Sequence, residues 1–248
     1  MRGRRTRRAV AAALAVAAVG LAGTACSQGS GGGAAELTVT SAEHAEALAG
    51  LPSSVNGPKI VVGRPTAPHT VTVFVDPRCG YCAKFEAVSG TVLADEAAAG
   101  KVRVEYVIAS FLDARTGGTA SARAANALRA AAEAGPGRFA TYQAALFASQ
   151  PSEHTADAYS TDHLLRIADQ VPGLRGGAFD KAVRENTHKD WVAASEQAFE
   201  DAGVGGTPTV LVDGKPLPAG NGLYDAGRFS EALRDAGVQG LSGPSLVP

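Results

Sequence analysis

Cys79-Gly80-Tyr81-Cys82 sets two thiols one helical turn apart, a spacing suited to thiol–disulfide exchange. The chain has three cysteines, and the third, Cys26, ends an N-terminal apolar run. One remaining pair builds no disulfide framework. A structural zinc site takes four protein ligands, with a second pair nearby, and there is no second pair. His44, His69, His154, His163 and His188 are scattered without ligand spacing. The residues therefore predict redox chemistry, no metal, and no cofactor other than the Cys79–Cys82 pair itself. The thiolate is the nucleophile, and an ordinary thiol titrating near ~8.5 is mostly protonated at neutral pH. A helix N-terminus aims unpaired N–H groups and a positive dipole end at a sulfur placed there. Cys79 is the expected attacking thiol, and Cys82, one turn on, the resolving one.

The elements around the pair read as follows. Val71–Val75 is nearly all apolar and β-branched, as in a strand buried on both faces, and Asp76, Pro77 and Arg78 lead from it into the cysteines. Phe85, Val88 and Val92 recur at helical spacing, so the cysteines open a helix to about Ala99, with a kink expected at Ser89-Gly90. Lys101–Ile108 alternates as a strand, with Val102, Val104, Tyr106 and Ile108 on one face. From Thr119 to Gly203 the apolar sets are helical, and Val183, Trp191 and Phe199 are expected on one last long helix. Thr209–Val212, an Asp213-Gly214 turn and Lys215–Leu217 predict a hairpin, whose second strand Pro216 and Pro218 confine to an edge. A final helix carries Phe229 and Leu233, with Asp225 as N-cap and Gly237 as stop. The fold is expected to start near Pro58, after a short helix at Glu43–Leu51.

The first 25 residues read as a signal peptide: a basic stretch, an apolar run from Ala9 to Ala22, then small residues. That run is shorter than the ~20 residues that span a bilayer. Arg4-Arg5 and Arg7-Arg8 leave a twin-arginine export route open beside the general one. Setting aside the five arginines before Cys26 leaves 18 of the 23 basic residues against 24 acidic ones. A mildly acidic mature domain is a poor partner for nucleic acid, which binds clustered Lys and Arg.

Ala22-Gly23-Thr24-Ala25-Cys26 resembles the lipobox of bacterial lipoproteins, which implies acylation of Cys26, and Ser27–Ala35 would serve as a flexible tether. Plain cleavage after Ala25 is the alternative. The order strand, cysteine-bearing helix, strand, helical block, hairpin, helix, with Gly206-Thr207-Pro208-Thr209 before the hairpin, resembles an α/β thioredoxin fold interrupted by an all-helical insertion. The family it looks like is the DsbA-like thiol–disulfide oxidoreductases of exported Gram-positive type. The resemblance covers residues 58–240, with the insertion at about 112–203 and residues 26–57 as anchor and linker. It implies a cis Pro208 facing the cysteines, with Gly80, Tyr81 and Thr207 forming the rest of the substrate-binding loop. Gly80-Tyr81 and Thr207 follow the pattern of DsbC-type isomerases. Val73 stands where the family carries a buried acid, so proton transfer to and from Cys82 is expected to use another group or a water, with Asp76 and Glu105 as the candidate groups. Arg78 is expected either to sit beside Cys79 and favour its thiolate or to be a solvated surface charge.

The function these readings imply is a membrane-tethered enzyme outside the cytoplasm that donates its disulfide to exported cysteine-containing proteins and is reset by a membrane redox partner. Reductase or isomerase action is the alternative direction. A lipoprotein binding module with a structural Cys79–Cys82 disulfide is the alternative of another class.

Overall fold

The computed structural model describes residues 38–41, 48–155, 157–218 and 220–241. The signal segment, Cys26, the Gly/Ser tether and most of the expected helix at Glu43–Leu51 lie outside the described residues. Among the described residues, no helix is long and apolar enough to cross a membrane.

Among the described residues, six strands form one mixed sheet in the order β1-β2-β4-β3-β5-β6. They are β1 (Ser53–Asn56), β2 (Lys59–Val62), β3 (His69–Val75), β4 (Val102–Ile108), β5 (Thr209–Val212) and β6 (Lys215–Pro216). Only β3 and β4 run parallel, in register from His69↔Val102 to Val75↔Ile108. They take the central positions because both faces of each strand are apolar. Val71, Val73 and Val75 join the main core on one face, while Phe74 and Val107 join a smaller cluster with Phe199 on the other. The sheet begins at Ser53, earlier than the expected start near Pro58. Ser53-Ser54-Val55-Asn56 has too little apolar pattern to announce a strand, but it pairs with β2 across a turn at Gly57-Pro58. At the other edge, Asp213 and Gly214 take positive φ of 48° and 80°, the turn that two-residue hairpins favour, and Pro216 lies on the outermost strand.

The cysteine helix is α1 (Gly80–Phe85), continued through a π-helical turn at Glu86–Gly90 into α2 (Thr91–Ala98). The kink expected at Ser89-Gly90 is thus an inserted residue in the helical ladder. The helical block holds α3 (Leu112–Thr116), α4 (Ala120–Glu133), α5 (Arg138–Ala148), α6 (Thr161–Ala168) and α7 (Gly177–Glu185), followed by α8 (Lys189–Asp201). Val183 is therefore on a separate helix from Trp191 and Phe199. Asn186 ends α7 in the left-handed region, at φ 52°, which an asparagine tolerates better than most residues. The insertion proper is α3–α7. α8 returns to the sheet: Phe199 packs on Phe74, and Ser195 Oγ accepts the Ile108 N–H at 2.9 Å. This corrects the insertion's expected end near 203, because a helical pattern cannot tell which layer a helix covers. Asp225 caps the last helix, α9 (Ala226–Asp235), by accepting the Arg228 N–H. The resulting βαβ–ββα core with a helical insertion is the architecture that the resemblance implied.

Candidate active site

Cys79 is the N-cap of α1, with extended backbone (φ −69°, ψ 113°), directly beyond the C-terminal end of β3. The site therefore sits where a buried parallel strand delivers the chain to the start of a helix. Both cysteines are free thiols, Cys79 being 7% exposed and Cys82 wholly buried. The Thr207–Pro208 peptide bond is cis, and the Cys79 thiol donates to the Thr207 carbonyl oxygen at 3.3 Å. The loop before the hairpin and the cysteine pair thus meet, although 128 residues separate Cys79 from Thr207.

The two sulfurs titrate far apart. The Cys79 thiol is lowered from 9.0 to about 6, chiefly by a hydrogen bond from the Cys82 thiol. The Thr207 side chain and the backbone amides of Cys82 and Tyr81 also lower it, while burial opposes them. All of these are neutral groups. Cys82 is pushed well above 9.0, first by burial and then by its bond to, and the charge of, the Cys79 sulfur. At neutral pH the reduced pair is thus a Cys79 thiolate beside a Cys82 thiol, the division of labour needed for attack followed by resolution.

The family model for thioredoxin matches residues 55–231. The chain belongs to this thioredoxin family. Solved structures with the same fold include the thiol-disulfide oxidoreductase MdbA from Corynebacterium matruchotii, 20% identical over 71% of this chain and 92% of that one, with a TM-score of 0.60. DsbG from Mycobacterium tuberculosis in its reduced form is 22% identical over 80% and 95% of the two chains, with a TM-score of 0.60. BdbD from Bacillus subtilis in its oxidised form is 20% identical over 80% and 97%, with a TM-score of 0.59. A comparison with curated protein sequences finds no match.

Arg78 holds neither place expected for it. It is 1% exposed, and its guanidinium reaches into the helical insertion, donating to Asp113 Oδ1 at 3.2 Å, the Gly117 carbonyl at 2.9 Å and the Glu153 carbonyl at 2.6 Å. It is not among the leading causes of the Cys79 shift. The insertion holds the rest of this turn as well. Gln150 Nε2 donates to the carbonyls of Pro77 (2.8 Å) and Cys79 (3.0 Å), and the Tyr159 hydroxyl donates to Pro77 at 3.0 Å. Gln150 and Tyr159 carried no signal in the sequence, since neither lies near the cysteines nor repeats at a recognisable spacing.

Asp76 and Glu105 are now separable. Glu105 lies on the sheet face opposite Val104 and Tyr106 and pairs with Lys59 at 2.7 Å and Arg103 at 3.6 Å. Asp76 is wholly buried at the start of the cysteine turn, and its backbone amide is hydrogen-bonded to the Cys82 sulfur. Its carboxylate accepts from Ser121 Oγ (2.7 Å), the Arg78 N–H (2.9 Å) and the Leu112 N–H (3.1 Å). Burial nevertheless raises it to about 7, with Asp113 adding in the same direction against those three bonds. Val73 is buried apolar core.

On the solvent side, Tyr81 is 61% exposed, Gly80 is half-buried, and the Tyr81 ring packs on Tyr224 with centroids 6.0 Å apart. Burial and the two cysteines raise the Tyr224 phenol further above its ordinary value. Tyr224 lies in a short 3-10 turn, Asn221–Tyr224, that no sequence pattern marked. Among the described residues, no group of three or more His, Cys, Asp or Glu side chains is placed to hold a metal ion.

Two expectations follow. Between the two thiol pKa values, reduction of the disulfide takes up two electrons and one proton; below about pH 6 it takes up two of each. The potential should therefore fall by about 30 mV per pH unit above the break and about 59 mV below it, as read by equilibration with a glutathione buffer. Alkylation of the reduced protein should rise with the same midpoint and vanish in Cys79→Ser. The second concerns Asp76. A carboxyl raised to about 7 in the fold binds a proton that the unfolded chain has already released, so it costs stability as pH rises from about 4 to 7. Urea unfolding should show Asp76→Asn gaining on the wild type across that window; a constant difference would contradict the assignment.

Proposed function

We propose that the chain is a thiol–disulfide oxidoreductase working outside the cytoplasm, and that its favoured direction is donation of the Cys79–Cys82 disulfide to exported proteins. The observation that carries this reading is the opposed titration of the two cysteines, with Cys79 at the helix N-terminus and Cys82 buried behind it. A binding module with an inert disulfide has no use for a thiol lowered to about 6. MdbA, named as a thiol-disulfide oxidoreductase, and DsbG, named as a disulfide bond oxidoreductase, share the fold.

In the oxidised protein, a client thiolate attacks the Cys79 sulfur. A client–Cys79 disulfide forms, the Cys79–Cys82 bond breaks, and Cys82 leaves with the electron pair. Its high pKa means that it takes up a proton at once. The Asp76 carboxyl, near 7 on the residue whose backbone amide meets the Cys82 sulfur, is the acid that supplies that proton in this reading. A second client thiolate then attacks the client sulfur and expels Cys79 as a stable thiolate. The client gains a disulfide, and the pair is left reduced by two electrons. The extended client segment lies along Thr207 and Pro208, with Gly80 and Tyr81 forming the rim. A membrane redox partner must then reoxidise the pair.

Direction follows from the donor set. Stabilising the thiolate stabilises the reduced form and makes the disulfide more oxidising. Because only neutral groups lower Cys79, the potential is expected between those of thioredoxin and DsbA, roughly −270 to −120 mV. Gly80-Tyr81 and Thr207 keep reductase or isomerase action as the second reading. The signal segment and Cys26 support export and a lipid anchor on the outer face of the membrane.

The oxidised protein should restore disulfides to a reduced, unfolded client faster than glutathione alone, and Cys79→Ala should abolish the gain. Cys82→Ser should accumulate mixed disulfides with clients, whereas Cys79→Ser should not. A potential near or below −270 mV, with reshuffling but no net oxidation, would put the reductase or isomerase reading in its place. Mass spectrometry of the mature N-terminus should find an acylated Cys26, and an unmodified N-terminus beyond it would remove the anchor.

A further inference from the structure

A cavity of about 440 Å³ lies against the cysteine helix, on the side of the π-helical turn, between that helix, α5 and the β2–β4 side of the sheet. Its size is in the range of small-molecule sites. Leu51, Val104, Phe139 and Phe147 give it apolar walls. Glu86 and Gln143 make a polar patch in it, joined by a Gln143 Nε2 bond to Glu86 Oε1 at 3.0 Å. Gln143 is 2% exposed, and its Oε1 has no hydrogen-bond partner. An unpaired buried acceptor is costly, so it marks a place where a donor is missing. The glycine at position 90 leaves room for the glutamate: a Cβ there would stand 2.6 Å from Glu86 Oε2.

The charge of the lining decides what kind of head fits. Among the described residues that line the cavity there is no Lys, Arg or His, while Glu86 and Asp95 are acidic. A carboxylate ligand would meet two carboxyl groups with no cation in the lining to pair it. A pure hydrocarbon would leave the Gln143 oxygen without a donor and the Glu86 carboxyl with only the one from Gln143. A cationic head answers both, since an ammonium carries three donors and no acceptor. We propose that this cavity binds an amphiphilic amine, whose apolar body fills the Leu/Phe-walled space and whose ammonium pairs with Glu86 and the free oxygen of Gln143. Burial holds the Glu86 carboxyl up to about 7, and a bound cation would draw it back toward its ionised form. The site is separate from the cysteine chemistry and uses none of its residues.

The test is binding to the full-length protein of three eight-carbon probes, n-octylamine, octan-1-ol and octanoate, by calorimetry and thermal shift. Octylamine should bind saturably and raise the melting temperature, with octanoate at least about tenfold weaker. Glu86→Gln, nearly isosteric, should weaken octylamine by at least about tenfold and erase its advantage over octanol. Ala144→Leu, which fills the cavity from α5, should weaken octylamine and octanol alike, and it answers the question even if Glu86→Gln does not fold. The proposal is overturned if octylamine shows no saturable binding, if octanoate or octanol binds as tightly, or if Ala144→Leu leaves octylamine binding unchanged. None of these outcomes bears on disulfide exchange, which is measured separately.

Discussion

The stabilisation of one sulfur anion by neutral hydrogen-bond donors is the interaction on which the rest of this structure depends. Cys79 is held near 6 by the Cys82 thiol, by the Thr207 side chain and by the amides of Tyr81 and Cys82, with no cation in the set. Each donor works only at short range, so each must be fixed. Cys82 stays protonated because it is buried. The amides point at the sulfur because Cys79 is the N-cap of α1. Thr207 is in place because β5 pairs with β3, in register from Val71↔Val212 to Phe74↔Thr209, and so carries the residues before it to the same end of the sheet.

The helical insertion contributes rigidity to this arrangement. Its side chains hold the backbone from Pro77 to Cys79 through Gln150 and Tyr159, and it receives the Arg78 guanidinium on Asp113 and the carbonyls of Gly117 and Glu153. Asp113 joins the parts: it accepts from Arg78 and from the amides of Ser121 and Ala122 that open α4. A cation that looks like an electrostatic modulator in the sequence is, in the fold, a fastener between two parts of the molecule. Such a buried ion pair is a poor source of net stability, but with its carbonyl acceptors filled it defines one geometry for the turn.

Two acids flank the cysteine helix, the wholly buried Asp76 before it and the half-buried Glu86 on its π-helical turn, and both are raised to about 7. Each costs stability in its ionised form. Asp76 offsets part of that cost with three hydrogen bonds, whereas Glu86 has one, from Gln143. The difference suits different roles: Asp76 is held as part of the turn, and Glu86 is left with capacity for a ligand.

The sequence by itself determined the cysteine chemistry and the order of the core elements that carry it. A lone C-x-x-C, the doubly apolar Val71–Val75, the alternation of Val102–Ile108 and the Asp213-Gly214 turn are all local signals, because thiol spacing, strand burial and turn geometry are set by near neighbours in the chain. Only the tertiary structure decided which buried acid lies at the pair, where Arg78 points, that α8 covers the sheet, and that Gln150, Tyr159 and Tyr224 belong to the site. Those facts rest on contacts across many residues, such as the 71 between Cys79 and Gln150. A side chain's charge is written in the sequence; its dielectric surroundings and its partners exist only once distant segments have packed.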